Sequence, residues 1–147
     1  VRDSHQDVIR RAAISYFGSV KNDKNYDRLK ELASYGGTTW DARPEAVSQL
    51  SSYAKEKGET IDIFVNLLED RSRDVRRRAI YSLASHGDKT HLGHLDEVMF
   101  KDPALGRDIR YAKKRILNPP KKSINNPVEE KLEEANRKLD EIKRLLD

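Results

Sequence analysis

Three histidines, His86, His91 and His94, fall within nine consecutive residues. His91 and His94 are spaced i,i+3, which on a helix places both rings on one side. Such a grouping raises zinc chemistry. A zinc site needs three or four convergent ligands and an outer shell that orients them. Gly87 and Gly93 instead punctuate this stretch as a turn and a helix start, so the histidines are expected on the surface and no metal ligand is assigned. Acidic residues are plentiful, but each fits a helix end or a wet face. Paired carboxylates acting as acid and base would need a dry cleft, and nothing in the spacing builds one. The absence of cysteine removes disulfides, zinc thiolates and thiol catalysis. The chain itself is therefore assigned no catalytic residue, no cofactor and no metal.

The stronger constellation is basic. Residues 71–122 carry 14 Lys and Arg against 6 Asp and Glu, whereas residues 1–70 carry 10 against 12 and residues 123–147 carry 5 against 7. Within the basic part, Arg77, Arg107, Arg110 and Lys114 gather near Tyr81 and Tyr111. Cations interleaved with aromatic rings can hold phosphates or an acidic protein surface. The acids Asp74 and Asp108 lie among them and argue against a tuned nucleic-acid groove. Arg77, Tyr81, Arg107, Arg110 and Lys114 are the candidate partner-binding residues. A solvated face or an acidic protein partner is expected ahead of a nucleic-acid-binding surface, which is the alternative.

These side chains need elements to carry them, and the spacing supplies those elements. Ala12, Ala46, Ala79 and Ala112 recur 34, 33 and 33 residues apart. Four residues later stand Tyr16, Leu50, Leu83 and Ile116, and four earlier Val8, Ala42, Val75 and Asp108. Positions i−4, i and i+4 form one helical stripe. In the last copy Ile109 takes over the apolar contact from Asp108. Arg10, Arg77 and Arg110 each stand two residues before an anchor alanine, about 160° away from the stripe at 100° per residue. They are expected to form an outward column, broken at Pro44. A second amphipathic helix precedes each later copy, through Tyr26, Leu29 and Leu32, then Ile61, Phe64 and Leu67, then Leu92, Leu95 and Val98. Glycine-rich turns and Asp102-Pro103 separate the helices, and no segment alternates with period two. Recurrence at this period marks a helical repeat array. The expected fold is all-α, an α-α superhelix of about three and a half repeats over residues 1–117.

The first copy lacks a preceding helix, and its residues are apolar all round. Ile14 and Phe17 point away from the Val8–Ala12–Tyr16 stripe and are expected to contact an upstream domain of a longer parent chain. Trp40 is expected to anchor a loop between helices. Residues 118–126 form a Pro-rich linker, and 127–147 an amphipathic C-terminal helix. Val128, Leu132, Ala135, Leu139, Ile142 and Leu146 make a heptad seam there. Folding back onto the last repeat costs no association entropy and is expected over pairing with another chain. No apolar run approaches the roughly 20 residues that span a bilayer, so no membrane association is expected and the cytoplasm is the expected compartment.

The arrangement of Asp70, Val75-Arg76 and Ala79 is similar to the HEAT repeat. In that family an aspartate ending the first helix of a repeat pairs with an arginine near the start of the second, and the pairs form a ladder between repeats. The resemblance gives Asp70 and Arg76 that structural role. Asp3 stands in the Asp70 register with Ile9 in place of the arginine, Arg43 keeps the arginine while Gly37 replaces the aspartate, and Asp102 lies one place early. More narrowly, Leu29 through Ile116, with Tyr35-Gly36, Trp40, the Asp70–Gly87 block and Asp102-Pro103, resembles the C-terminal helical domain of aminopeptidase N-like zinc metallopeptidases. That family's chemistry lies in an upstream domain with His-Glu-x-x-His and Gly-x-Met-Glu-Asn motifs. Neither motif is present here. The resemblance thus implies a non-catalytic domain that braces a catalytic domain of the same parent, with zinc held by that parent and not by these residues.

Overall fold

The computed structural model describes residues 4–34, 42–120 and 127–146. Among them lie eight α-helices and no strand: α1 (Ser4–Ser19), α2 (Asp23–Ala33), α3 (Ala42–Leu50), α4 (Glu59–Leu67), α5 (Arg73–His86), α6 (Leu92–Lys101), α7 (Gly106–Leu117) and α8 (Pro127–Leu146). Short 3-10 turns at Ser51–Tyr53, Lys89–His91 and Pro103–Leu105 join some of them. The protein is all-α, as its periodicity requires. Asp3, Tyr35, Gly36, Gly37 and Trp40 lie outside the described residues.

Helices α2 and α3, α4 and α5, and α6 and α7 pack in pairs. The second members touch one another in succession, α1 on α3, α3 on α5 and α5 on α7. The anchor stripes explain this row. Ala42, Ala46 and Leu50 on α3 are buried, as are Val75, Ala79 and Leu83 on α5 and Ile109, Ala112 and Ile116 on α7. Alanine at the centre of each stripe lets neighbouring backbones approach. Ile109 enters the core and Asp108 turns towards the surface. Helix α5, flanked on both sides, also buries Ile80, Ser82 and Ala84.

Local signals fix the ends. Asn22 caps α2, its side chain accepting from the Asn25 N–H at 2.8 Å. Asp102 accepts from the Ala104 N–H at 3.2 Å where Pro103 opens the turn into α7. At the end of α5, the Gly87 N–H donates to the Leu83 carbonyl at 2.7 Å. A Cβ at Gly87 would lie 2.7 Å from that same oxygen, so only glycine fits without displacing the backbone.

Helix α1 departs from the expected register. Ile14 is 1% exposed and Phe17 packs against the core, whereas Val8, Ile9 and Tyr16 are 67%, 69% and 55% exposed. Ile14 is therefore buried within this chain and Phe17 half-buried against its core, on the side of α1 that meets α2 and α3. The cause is a close approach at Gly18, where an added Cβ would fall 2.0 Å from the Gln49 side-chain oxygen. The Tyr53 hydroxyl donates to the Phe17 carbonyl at 2.6 Å, and the Ser52 hydroxyl donates to the Gly18 carbonyl at 3.0 Å. These bonds turn α1 by roughly half a revolution from the alanine-anchored register and leave Val8, Ile9, Ala12 and Tyr16 open.

The C-terminal helix also departs from expectation. Leu132, Leu139 and Ile142 are 60%, 49% and 53% exposed, so the described part of the α8 seam is not buried on the repeats. Lys131, Lys138 and Lys143 on α8 and Arg107, Arg110 and Lys114 on α7 are all exposed cations.

Candidate functional site

Two charged constellations occupy the junctions between helix pairs. The first lies in the seam where successive pairs meet. Arg43, at the start of α3, forms a bidentate pair with Asp70, in the turn between α4 and α5; both side chains are 4% exposed. Arg43 Nε also donates to the Ala33 and Ser34 carbonyls at 3.3 and 3.0 Å, and Asp70 Oδ1 accepts from the Ser72 N–H at 2.8 Å. One pair further on, Arg76 Nη2 donates to Asp102 Oδ2 at 2.6 Å and Arg76 Nη1 to the Asp70 carbonyl at 2.6 Å. Arg73 adds a bond to Asp102 at 3.1 Å. The hydrogen bond from Arg76, followed by that from Arg73, holds the Asp102 carboxyl below its usual pKa, against the opposing effect of desolvation.

The side chains of Asp70 and Arg76 do not pair with each other; each belongs instead to a separate Arg–Asp contact, or rung, between helix pairs. Each reaches the neighbouring copy, Asp70 backwards to Arg43 and Arg76 forwards to Asp102. Arg43 and Asp102 complete the rungs, and the one-residue offset of Asp102 does not prevent it. A cleft bordered by Asp70, Arg76, Lys101 and Asp102 opens at this seam.

The second constellation is the outward surface of α5 and α7. Arg77, Tyr81, Ala104, Arg107, Asp108 and Tyr111 line a shallow groove there. The Tyr81 and Tyr111 rings stand 5.7 Å apart, tilted by 57°, and both are partly exposed. Asp108 organises the groove. It accepts from the Tyr81 hydroxyl at 2.8 Å and from Arg77 Nε at 3.3 Å, while Arg77 Nη1 donates to Asp74 at 3.0 Å. The hydrogen bond to Asp108 and desolvation raise the Tyr81 pKa, so the phenol remains a donor across the physiological range.

Of the five candidate residues, the groove gathers Arg77, Tyr81 and Arg107. Arg110 and Lys114 stand exposed on the same helix without lining it. Arg10 does not extend the column. It lies four residues before the buried Ile14 and is itself half-buried. The sequence marks Asp108 as an interleaved acid; its hold on two other groups at once depends on how α5 and α7 stack.

His91 serves a local role. The Asp88 N–H donates to His91 Nδ1 at 3.1 Å, and Asp88 accepts from the Thr90 N–H at 2.9 Å, a reciprocal cap on the turn into α6. Burial, with Lys55 nearby, lowers the pKa of His86, and His94 is exposed. Among the described residues no three histidine or carboxylate groups converge as metal ligands would. No described helix is long and apolar enough to cross a membrane. No family model matches the chain, and neither a curated protein nor a solved structure matches it.

Proposed function

We propose that this chain is a HEAT-like solenoid, an α-α superhelix that acts as a non-catalytic scaffold and presents the α5–α7 surface to an acidic protein partner. One observation carries the reading. The same Arg–Asp contact recurs at successive junctions, Arg43 with Asp70 and Arg76 with Asp102, at almost the period of the sequence repeat. A contact that links each copy to the next is what a quasi-one-dimensional array requires. Charge supports the choice of partner, because Arg107, Arg110 and Lys114 are exposed beside a tyrosine-lined groove.

The competing reading is a nucleic-acid-binding solenoid. Arg77 speaks against it, since Asp74 and Asp108 already hold that guanidinium and a phosphate would have to displace them. Fluorescence anisotropy with labelled duplex DNA and duplex RNA tests the choice. Near physiological salt we expect no sub-micromolar binding. Tight, salt-dependent binding that Arg77→Glu with Arg110→Glu abolishes would overturn the scaffold reading. An aminopeptidase assay on the purified chain is expected to be blank. Descent from an aminopeptidase N-like parent rests on the sequence resemblance alone. The coding region upstream of Val1 tests it, and the lack of a His-Glu-x-x-His motif there would sink it.

A further inference from the structure

Helix α8 has an apolar seam whose described residues stand exposed. Leu132 and Leu139 occupy heptad position a, Ala135 and Ile142 position d, and all four are exposed. In a two-stranded coil, positions e and g flank the seam and face the partner helix. From residue 131 to 145 these positions hold Lys131, Asn136, Lys138, Lys143 and Leu145, three cations and no anion. The acids Glu134, Asp140 and Glu141 lie on the outer positions b and c. Lys138 has one local bond, to Glu134 at 2.8 Å, an exposed i,i+4 pair of the weak kind that rearranges readily.

We infer that α8 is a docking helix for a different chain, one that offers an amphipathic helix with acidic residues at its own e and g positions. The two nearer occupants fit less well. A second copy in parallel would set Lys138 against Lys143 of its mate, in both directions. An antiparallel copy would set Lys138 against itself, with only the glutamate at position 129 opposite Lys143 in compensation. The repeats of the same chain offer the cationic surface of α7, with Arg107, Arg110 and Lys114 exposed. An acid-flanked helix opposes all three lysines with carboxylates, and the leucine and isoleucine seam supplies the burial. The seam spans only about three heptads, short for a stable coil, so flanking charge has a large share in choosing the partner.

The test uses the whole 147-residue chain and two labelled synthetic helices. Both carry isoleucine at a and leucine at d; one has glutamate at every e and g, the other lysine. Sedimentation equilibrium of the chain alone is expected to show monomer through the low-micromolar range. Anisotropy at roughly 0.05 M salt, where the Debye length exceeds about 10 Å, is expected to show the glutamate helix binding at least about tenfold tighter than the lysine helix. Changing Lys131, Lys138 and Lys143 together to glutamate is expected to invert that order with helix content unchanged, and Leu139→Asp to abolish both. The inference is overturned by a self-dimer lost on Leu139→Asp, by equal binding of the two probes, or by binding of neither.

Discussion

The two rungs of the ladder use the same pair of residue types at neighbouring junctions, yet water reaches them differently. The Arg43 and Asp70 side chains are each 4% exposed, and both also bond to the main chain, Arg43 at Ala33 and Ser34 and Asp70 at Ser72. Arg76 and Asp102 are 17% and 14% exposed, and Asp102 is shared with the exposed Arg73. A buried pair has lost most of its hydration, so its members depend on each other. A partly wet pair can fall back on solvent. The difference concerns the penalty for breaking a rung, and does not establish that either rung adds much net stability.

The sharpest break of that comparison is Asp70→Ala. It removes the carboxylate that binds the buried Arg43 guanidinium at two points, and about 3–5 kcal/mol should be lost in urea unfolding. Arg43→Met with Asp70→Leu removes both charges and should recover at least about 2 kcal/mol of that loss. If the double variant is no more stable than Asp70→Ala alone, loss of the Asp70 carboxylate from a buried cation is not the cause. Arg76→Ala should cost less, about 1.5–2 kcal/mol, chiefly through its bond to the Asp70 carbonyl and its contact with Asp102. Equal losses at Asp70 and Arg76 would erase the distinction between the rungs.

Acid sharpens it further. The folded Asp102 pKa is depressed, first by the Arg76 hydrogen bond, from an ordinary value of 3.8. A depressed carboxyl contributes stability above its unfolded pKa and loses it as the pH falls through the lower folded value. The gap in urea midpoint between the wild type and Arg76→Ala should therefore hold steady from neutral pH to about pH 5 and shrink below about 3.8. Asp88 is also depressed, but through Thr90, so its contribution cancels in that difference. A gap that widens in acid would contradict the assigned contact.

Most of this fold is legible because the stripes on α3, α5 and α7 have one apolar side. Val75, Ala79 and Leu83 admit only one orientation. Helix α1 is different. Val8, Ile9, Ala12, Ile14, Tyr16 and Phe17 give it apolar residues on several faces, so spacing cannot choose among them. The choice falls to Gly18, which admits Gln49, and to the hydroxyls of Ser52 and Tyr53, more than thirty residues away in sequence. The ladder was half legible for a related reason. Resemblance to the HEAT repeat points to Asp70 and Arg76, but the partner of each is set by how far a side chain reaches across the stacking junction. The α5–α7 groove follows from the basic and aromatic residues, whereas the neutralising reach of Asp108 needs the two helices side by side.

The smallest effect belongs to a third contact of the same chemistry, at the surface. Asp108 bridges Arg77 and Tyr81 between α5 and α7, but the Arg77 side chain is 42% exposed and already has Asp74 as an alternative partner. Coulomb attraction there is screened, and both long side chains lose rotamer freedom in holding the geometry. Arg77→Ala should cost only about 0.2–1 kcal/mol, and less in high salt. The effect on Tyr81 is the more telling readout. Removing the Arg77 cation takes away the one neighbouring charge that lowers the tyrosine pKa while leaving the hydrogen bond to Asp108 that raises it. The Tyr81 phenol should then titrate at higher pH in Arg77→Ala than in the wild type, followed by the absorbance of the phenolate with Tyr81→Phe as the reference. A shift to lower pH would show that Arg77 holds Asp108 against the hydroxyl, so that its loss also weakens the bond that raises the tyrosine pKa, and that this outer contact is built differently from the two rungs inside.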